Sequence, residues 1–171
     1  LHSVVAGISY WTIGYGLAYG EGNSFVGWTN FASSYMENGQ MANYFYQVMF
    51  ASTACTIVSG SLAERCNFHA YLIYSFFLTA LVYPFCTRWG WSPYGYLHIG
   101  HTFEIEDGRS AHIKYEDFGG SGVVHLTGGT AGLVGAIILG PRIGRFHQKT
   151  GAVLPIRGHS LPVKLAVMKK I

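Results

Sequence analysis

One histidine and one aspartate stand out as side chains able to do chemistry beside an apolar stretch. Between Phe118 and Pro141 the chain has no Asp, Glu, Lys or Arg, and His125 is the single titratable side chain there. As a helix, these residues would span the ~30 Å hydrocarbon core of a bilayer. An ionisable group at that depth is costly unless it lines a cavity or finds a partner, so His125 is a candidate functional residue.

The chemistry available to His125 depends on its protonation. An uncharged imidazole can donate a hydrogen bond to a small polar permeant or accept one from it, and it offers no negative charge to hold a cation. The alternative is a structural role, in which the imidazole is hydrogen-bonded to a neighbouring helix.

Asp117 lies directly before the apolar stretch, at the position of a helix N-cap. Its carboxylate is expected to accept the free backbone N–H of Gly119 or Gly120. His125 follows eight residues later, about two turns and ~12 Å along the helix axis. Small residues further along predict close packing against another helix; they are Gly128, Gly129, Gly132 and Gly135.

The placement of charges predicts three further membrane spans. The chain has 171 residues, 16% of them aromatic and 23 of them glycine, with a mean hydropathy of +0.25. Charged residues are absent from four long runs, which predict spans at about 1–20, 42–63, 68–87 and 118–140. The expected fold class is therefore all-α, a polytopic membrane helix bundle. The alternative is a soluble protein with buried core helices.

The charges also predict an orientation. Seven of the eleven Lys and Arg residues follow Pro141, whereas seven of the eight acids lie in segments 20–40 and 88–117. By the positive-inside rule, the C-terminal segment is cytoplasmic and the two acidic segments are outside. The short turn with Glu64 and Arg65 is then also cytoplasmic, and we interpret its two charges as a solvated or headgroup-facing pair without a chemical role.

The outer segments and the cysteines are not expected to bind metal. Residues 24–39 are typical of a short interfacial helix or an ordered loop. The loop 92–116 is predicted to be a solvated insertion, because the irregular spacing of its histidines and acids argues against a metal site. Three cysteines lie in or beside apolar runs, which favours small core residues over disulfides; they are Cys55, Cys66 and Cys86.

Four motifs resemble the ammonium transporter (Amt/Mep/Rh) family, in the family's order. Asp-Phe-Gly-Gly-Ser-Gly-Val-Val-His at 117–125, with Gly-Pro-Arg-Ile-Gly-Arg-Phe at 140–146, resembles its fifth membrane helix. The other motifs are Trp-Thr-Ile-Gly-Tyr-Gly-Leu-Ala-Tyr-Gly at 11–20, Gly-Ser-Leu-Ala-Glu-Arg-Cys-Asn-Phe at 60–68 and Tyr-Leu-Ile-Tyr-Ser-Phe at 71–76. We expect residues 1–160 to be a partial transporter domain, from about the second to the fifth membrane helix. Residues 161–171 depart from the family pattern and are expected to be a divergent or truncated cytoplasmic tail.

The resemblance implies roles for three aromatic residues. Trp91 matches the tryptophan that forms one wall of the family's outer vestibule, where the cation is recruited, and Trp89 is the competing candidate. Phe50 matches the phenylalanine that roofs the pore, and Tyr46 matches its outer neighbour. An indole face can replace part of a cation's water shell, which contributes on the order of 0.5–2 kcal/mol.

The resemblance also implies the activity. His125 would handle a proton or bond the substrate in the pore, and Asp117 would hold the outer end of its helix. The implied function is transport of ammonium or ammonia, with methylammonium as a further candidate substrate. No enzyme activity, cofactor, metal or nucleic-acid partner is implied. Family members have about eleven spans in two inverted halves and form homotrimers, so we expect this chain to be a fragment of a multi-pass plasma-membrane protein.

Other functions remain as alternatives within the same fold. They are an Rh-like gas channel, an ammonium sensor, and a non-conducting fragment that lacks the second half of the pore. A membrane haem or metal protein using His125 as a ligand would need a second histidine at matching depth, and the predicted spans offer none.

Overall fold

The computed structural model describes residues 2–34, 36–105 and 108–155 of the chain, so the tail predicted for 161–171 lies outside it. Four long helices, called first to fourth below, overlap the four apolar runs. The first long helix joins α1 (His2–Ser9), a π-helical turn (Tyr10–Gly14) and α2 (Tyr15–Tyr19), and the second is α3 (Asn38–Leu62). The third joins α4 (Phe68–Phe77), a π-helical turn (Leu78–Val82) and α5 (Tyr83–Gly90), and a short α6 (Tyr96–Ile99) follows it. The fourth joins a π-helical turn (Ser121–Leu126) and α7 (Thr127–Leu139).

Two of the four helices are long and apolar enough to cross a membrane by length and composition. Phe68–Gly90 has a mean hydropathy of 1.5 over its most apolar part, and Ser121–Leu139 has one of 1.7. In the first and second long helices, glycines and hydroxyl and amide side chains lower the mean hydropathy. Four spans were predicted from the absence of charge, a weaker criterion than high hydropathy.

The second and fourth long helices pack through the predicted glycines. A Cβ atom at Gly128 would lie 2.8 Å from the Ala54 carbonyl oxygen, and one at Gly135 would lie 3.0 Å from the Leu62 side chain. Gly132 is buried in the same contact. Gly129 differs, because a Cβ there would have no neighbour within 4 Å. Three of the four predicted packing positions are therefore in the contact, and Gly129 is not.

The first and third long helices pack at their π-helical turns. Ser9 and Thr79 hydroxyl oxygens lie 2.6 Å apart in a buried hydrogen bond between the two helices. A Cβ at Gly14 would lie only 2.5 Å from the Thr79 carbonyl oxygen. Only glycine permits this close approach of the two helices. The π-helical turns themselves were not predicted, because one wide turn barely changes the apolar periodicity of a helix.

The loop before the fourth helix is folded and not merely a solvated insertion. Strand β1 (His101–Glu104) pairs antiparallel with β2 (Ser110–Ile113), in a register that places His101 opposite Ile113. The hairpin is joined to α6 by a hydrogen bond from the Tyr115 N–H to the Leu97 carbonyl oxygen, at 2.9 Å. Asp-Gly at 107–108 between alternating residues was the available hairpin signal.

In segment 24–39, the described residues 24–34 and 36–39 are ordered, as predicted. They include a 3-10 turn at Phe31–Ser33, and Gly27 forms an isolated bridge with Gly22, which precedes the segment. The three cysteines are free thiols; Cys55 is buried in the core, and Cys66 and Cys86 are partly buried. These features agree with an ordered loop and with small core residues.

Glu64 and Arg65, in the turn between the second and third long helices, do not form the mutual pair predicted for them. Glu64 forms its ion pair with Arg142, which follows the fourth helix. Arg65 Nη1 donates to the Gly140 carbonyl oxygen at 3.2 Å. Both charges therefore connect the turn between the second and third helices to the inner end of the fourth.

A buried cation fixes the outer end of the third helix. Arg88 is fully buried, and its guanidinium lies over the Tyr94 ring, 5.0 Å from the centroid. Its N–H groups donate to backbone carbonyl oxygens at 2.6–3.2 Å, those of Ala18, Gly20 and Asn23. Among the described residues, main-chain dipoles and not a carboxylate stabilise this charge, and the loop after the first helix is held against the third.

Arg88→Met is expected to destabilise the protein by about 3 kcal/mol or more, because buried carbonyl groups left without a donor cost about 1–3 kcal/mol each. Thermal unfolding of the purified, detergent-solubilised protein measures the change. Lys114→Met is the matched control, since Lys114 forms an exposed ion pair with Glu116 at 3.4 Å. That pair is worth less than about 1 kcal/mol. Equal destabilisation by the two substitutions would contradict the anchoring role.

Candidate functional site

An aromatic cavity of about 480 Å³ lies between the C-terminal ends of the first and third long helices and the N-terminal half of the second. The second helix contributes one wall from successive turns, and the end of the third contributes the opposite wall. Phe118, just before the fourth helix, also reaches it. The aromatic residues of the wall are Tyr15, Tyr19, Tyr46, Phe50, Trp91, Tyr94 and Phe118.

Three residues singled out from the sequence meet in this cavity. The Tyr46 and Phe50 rings are one helical turn apart and form an edge-to-face contact at 4.9 Å between centroids. Phe50 and Trp91 form a second edge-to-face contact at 5.1 Å. Tyr46 is 60% exposed and lies at the rim, whereas Phe50 and Trp91 are partly buried. The cavity is thus an aromatic cup with Tyr46 at its rim and Phe50 deeper inside.

The competing tryptophan lies elsewhere. Trp89 donates its indole N–H to the Phe25 carbonyl oxygen at 3.1 Å and packs against Tyr96 at 6.0 Å. It does not line the cavity. Of the two candidates, Trp91 is the one that shares a surface with Phe50.

Asp117 organises the start of the fourth helix more extensively than a simple N-cap. One carboxylate oxygen accepts the N–H groups of Gly120 and Ser121, both at 2.7 Å. The other accepts those of Gly122 at 2.9 Å and Val123 at 2.8 Å. The predicted bond to Gly120 is present, together with three that were not predicted. The helix begins too late for a bond to Gly119, because Gly120 adopts φ +85° and turns the chain into the helix.

The charge state of Asp117 follows from these bonds. Burial favours the neutral acid and by itself raises the pKa of the carboxyl group. The four backbone N–H donors, led by that of Val123, outweigh burial and lower the pKa of Asp117 below its ordinary value. Asp117 is therefore a carboxylate throughout the physiological pH range.

Asp117 also connects the aromatic cavity to His125. The Trp91 indole N–H donates to the Asp117 backbone carbonyl oxygen at 2.6 Å. On the helix side, His125 Nδ1 lies 3.0 Å from the Gly120 carbonyl oxygen. A carbonyl oxygen can only accept, so Nδ1 carries the proton, and in an uncharged imidazole Nε2 is then the acceptor. Trp91, Asp117, Gly120 and His125 form one continuous chain of contacts.

His125 and Asp117 do not line the aromatic cavity. The His125 ring is exposed on the chain and is bonded to its own helix, not to a neighbouring one. Of the five residues predicted for the site, three line the cavity and two do not. The three are Tyr46, Phe50 and Trp91, and the other two are Asp117 and His125.

Gln47 is a site residue that the sequence reasoning missed. Its side chain is 7% exposed, lines the same cavity, and has an Oε1 atom without a hydrogen-bond partner among the described residues. Buried polar atoms are nearly always hydrogen-bonded, so this one marks a place for a donor. The available signal was an amide three residues before Phe50, on the same helix face, in an otherwise apolar run. The described residues form no cluster of three His, Cys, Asp or Glu side chains.

A model of the Ammonium Transporter Family matches residues 1–165. The chain belongs to the ammonium transporter family. It is 42% identical over 167 residues to "Putative ammonium transporter 1" of Caenorhabditis elegans, covering 95% of this chain and 30% of that protein. It is 45% identical over 163 residues to "Putative ammonium transporter 1 member 5" of Arabidopsis thaliana, covering 94% of this chain and 32% of that protein.

A solved structure agrees with the family membership. The chain superimposes on a "Sensor Amt Protein" with a TM-score of 0.72 and 27% identity, covering 96% of this chain and 40% of that one. This family member therefore has part of the helical membrane bundle of the ammonium transporter family, as expected from its motifs. It spans about a third of the length of the curated relatives it matches.

Proposed function

We propose that this family member takes part in moving ammonium or ammonia across a membrane, with the aromatic cavity as the outer recruitment site. The observation that carries the proposal is the meeting of Tyr46, Phe50 and Trp91 around the unpartnered Gln47 Oε1. Aromatic faces attract a small cation, and an amide oxygen accepts one of its N–H groups. Ammonium offers both features in one ion.

Selection against other cations follows from the same chemistry. Entry into the cavity removes part of the ion's water shell, and the remaining interactions must replace it. Four N–H donors let ammonium bond the Gln47 oxygen in any orientation while its charge lies against the rings. An alkali cation of similar size can coordinate an amide oxygen, but it donates no hydrogen bonds to further acceptors.

Passage beyond the cavity requires handling of the proton. Phe50 lies deeper in the cup than Tyr46, and an apolar route past it would admit neutral ammonia far more easily than the charged ion. With Nδ1–H committed to the Gly120 carbonyl oxygen, His125 presents Nε2 as a lone-pair acceptor for an N–H group or a proton. Asp117 positions both ends of this route through Trp91 and the helix start.

The cellular setting is part of the proposal. We infer four spans in a multi-pass plasma-membrane protein, with the segment after Pro141 cytoplasmic and the acidic loops outside. Homotrimer assembly and methylammonium as an analogue substrate belong to the proposed full-length protein. The bundle described for this chain would form one part of each pore.

A sensor is the second candidate, because the solved structure similar to this chain carries the name "Sensor Amt Protein". A sensor needs the recruitment cavity but no continuous route past Phe50. Binding of ammonium without flux in reconstituted vesicles would therefore favour a sensor. Flux that saturates with ammonium would favour transport.

Trp91→Leu is expected to raise the half-saturating concentration of methylammonium about 2- to 30-fold, because it removes one cation–π face worth about 0.5–2 kcal/mol. Uptake of labelled methylammonium by cells lacking their own transporters, expressing the reading frame that contains this chain, measures the change. Trp89→Leu is the matched control, since Trp89 lies outside the cavity. An effect of Trp89→Leu equal to that of Trp91→Leu would contradict the placement of the recruitment site.

A further inference from the structure

A second cavity, of about 530 Å³, lies at the inner end of the bundle and is bounded by three arginines. Arg65 comes from the turn between the second and third long helices, and Arg142 and Arg145 follow the fourth. The remaining wall is apolar or backbone, and it includes Ile137 and Phe146. No carboxylate is among the described residues that line it.

The described carboxylates neutralise only part of this charge. Glu64, outside the cavity lining, is ion-paired with Arg142. Arg65 Nη1 donates to the Gly140 carbonyl oxygen and Arg145 Nη1 to that of Leu154, both at 3.2 Å. These oxygens carry no net charge. A guanidinium has five N–H donors. The ion pair of Arg142 and the carbonyl bonds of Arg65 and Arg145 use only some of them, so each arginine keeps donors for an anion.

The arginines are held in place and are not loose surface chains. The Glu64–Arg142 pair and the bond from Arg65 to Gly140 join two helix ends. The Leu154 N–H donates to the Arg145 carbonyl oxygen at 2.8 Å, which fixes the backbone beneath the third guanidinium. A cluster fixed before binding loses less side-chain entropy when an anion arrives.

The apolar wall continues onto the outside of the fourth helix. Ile137, which lines the cavity, is 71% exposed in this chain. A free phosphate ion would leave this apolar surface without a contact. A phospholipid carries a phosphate and acyl chains in one molecule, so its phosphate can contact the arginines while an acyl chain packs against the apolar wall. Arginine forks fit phosphate oxygens in paired hydrogen bonds. Basic pockets at the cytoplasmic ends of membrane helices favour anionic lipids, which are concentrated in that leaflet.

We propose that the cavity bounded by Arg65, Arg142 and Arg145 binds the phosphate of an anionic phospholipid headgroup, with an acyl chain along Ile137. This site lies at the opposite end of the bundle from the aromatic cavity. It requires the membrane placement of the family but not transport of any particular substrate.

The test is lipid binding to the purified protein in detergent, measured by calorimetric titration with dioctanoyl phosphatidylglycerol, dioctanoyl phosphatidylcholine and inorganic phosphate. Wild type is expected to bind the anionic lipid at least tenfold more tightly than either other ligand. The double variant Arg65→Gln/Arg145→Gln is expected to weaken phosphatidylglycerol binding at least tenfold. Lys114→Gln, which removes one positive charge from the outer loop, is expected to leave it unchanged.

Arg145→Gln alone keeps both helix-end contacts and serves as the second variant; it is expected to weaken binding at least threefold with unaltered thermal unfolding in the absence of lipid. Equal affinity of wild type and the variants for phosphatidylglycerol overturns the proposal. Inorganic phosphate binding as tightly as the lipid overturns the lipid assignment. Phosphatidylcholine binding as tightly as phosphatidylglycerol overturns the role of net charge.

Discussion

Asp117→Asn is expected to reduce methylammonium uptake at least tenfold and to destabilise the start of the fourth helix by about 3 kcal/mol. An asparagine oxygen can replace one carboxylate oxygen, but its NH₂ group would face the N–H groups of Gly122 and Val123. Two charge-assisted hydrogen bonds, each worth about 1.5–3 kcal/mol, would be lost. Displacement of the residue 117 carbonyl would also release the Trp91 indole. Uptake and thermal unfolding of the same preparation measure the two effects.

Glu116→Gln is the matched control for this substitution. Glu116 is the adjacent carboxylate, 76% exposed and paired only with Lys114 among the contacts described for it. Its removal is expected to change stability by less than about 1 kcal/mol and uptake hardly at all. If Glu116→Gln lowered uptake as much as Asp117→Asn, the effect would reflect the charge of the outer loop and not the helix start.

The pH dependence of stability provides a separate readout for Asp117. Its pKa is lower in the folded protein than the ordinary carboxyl value of about 3.9. Its ionisation therefore stabilises the fold fully above that ordinary value, and this contribution disappears as pH falls through the lowered pKa. The difference in free energy of unfolding between wild type and Asp117→Asn is expected to be constant from about pH 5 to about pH 8. It is expected to shrink below about pH 4, as Asp117 becomes protonated.

His125→Ala is expected to lower uptake at pH 7 about 100-fold or more, the lower end of what a positioned proton donor or acceptor contributes. The fold should tolerate the change, because the exposed ring has one described hydrogen bond, to the Gly120 carbonyl oxygen of its own helix. Uptake per molecule of protein in the membrane, together with thermal unfolding of the purified protein, distinguishes lost function from lost structure.

His112→Ala is the matched control for the histidine. His112 lies on β2, where its ring contacts the Thr102 hydroxyl at 3.0 Å. Uptake is expected to stay near the wild-type level. Normal uptake by correctly inserted His125→Ala protein would remove His125 from the route. Binding of ammonium retained by His125→Ala without flux would place the residue beyond the recruitment cavity.

Local features of the site could be predicted from the sequence. An N-cap depends on neighbouring residues, so the hydrogen bond from the Gly120 N–H to the Asp117 carboxylate followed from residue type and spacing. Tyr46 and Phe50 are four residues apart in one helix, and their contact follows from helix geometry. The contact of Phe50 with Trp91 joins residues far apart in the chain, and only the family resemblance suggested it.

Features that depend on long-range packing were not predictable in the same way. Arg88 is close in sequence to the interfacial tryptophans, and nothing in its neighbourhood indicates that carbonyl groups of the first loop surround it. Likewise, Glu64 next to Arg65 suggests a local pair, whereas the true partner of Glu64 is Arg142. Gly129 differs from Gly128 only in the direction it faces, which depends on where the second helix lies.

The π-helical turns mark the places where this chain can lose a single residue and still keep a continuous helix. A π turn accommodates one residue more than the α-helical turn it replaces, so deleting one residue there can restore regular α-helix without breaking the helix. The first, third and fourth long helices each contain such a turn. Single-residue gaps are therefore tolerable at these places, whereas one inside α3 would rotate Phe50 away from Trp91 by about 100°. The second long helix has no π-helical turn, so a one-residue deletion before Phe50 is not absorbed there.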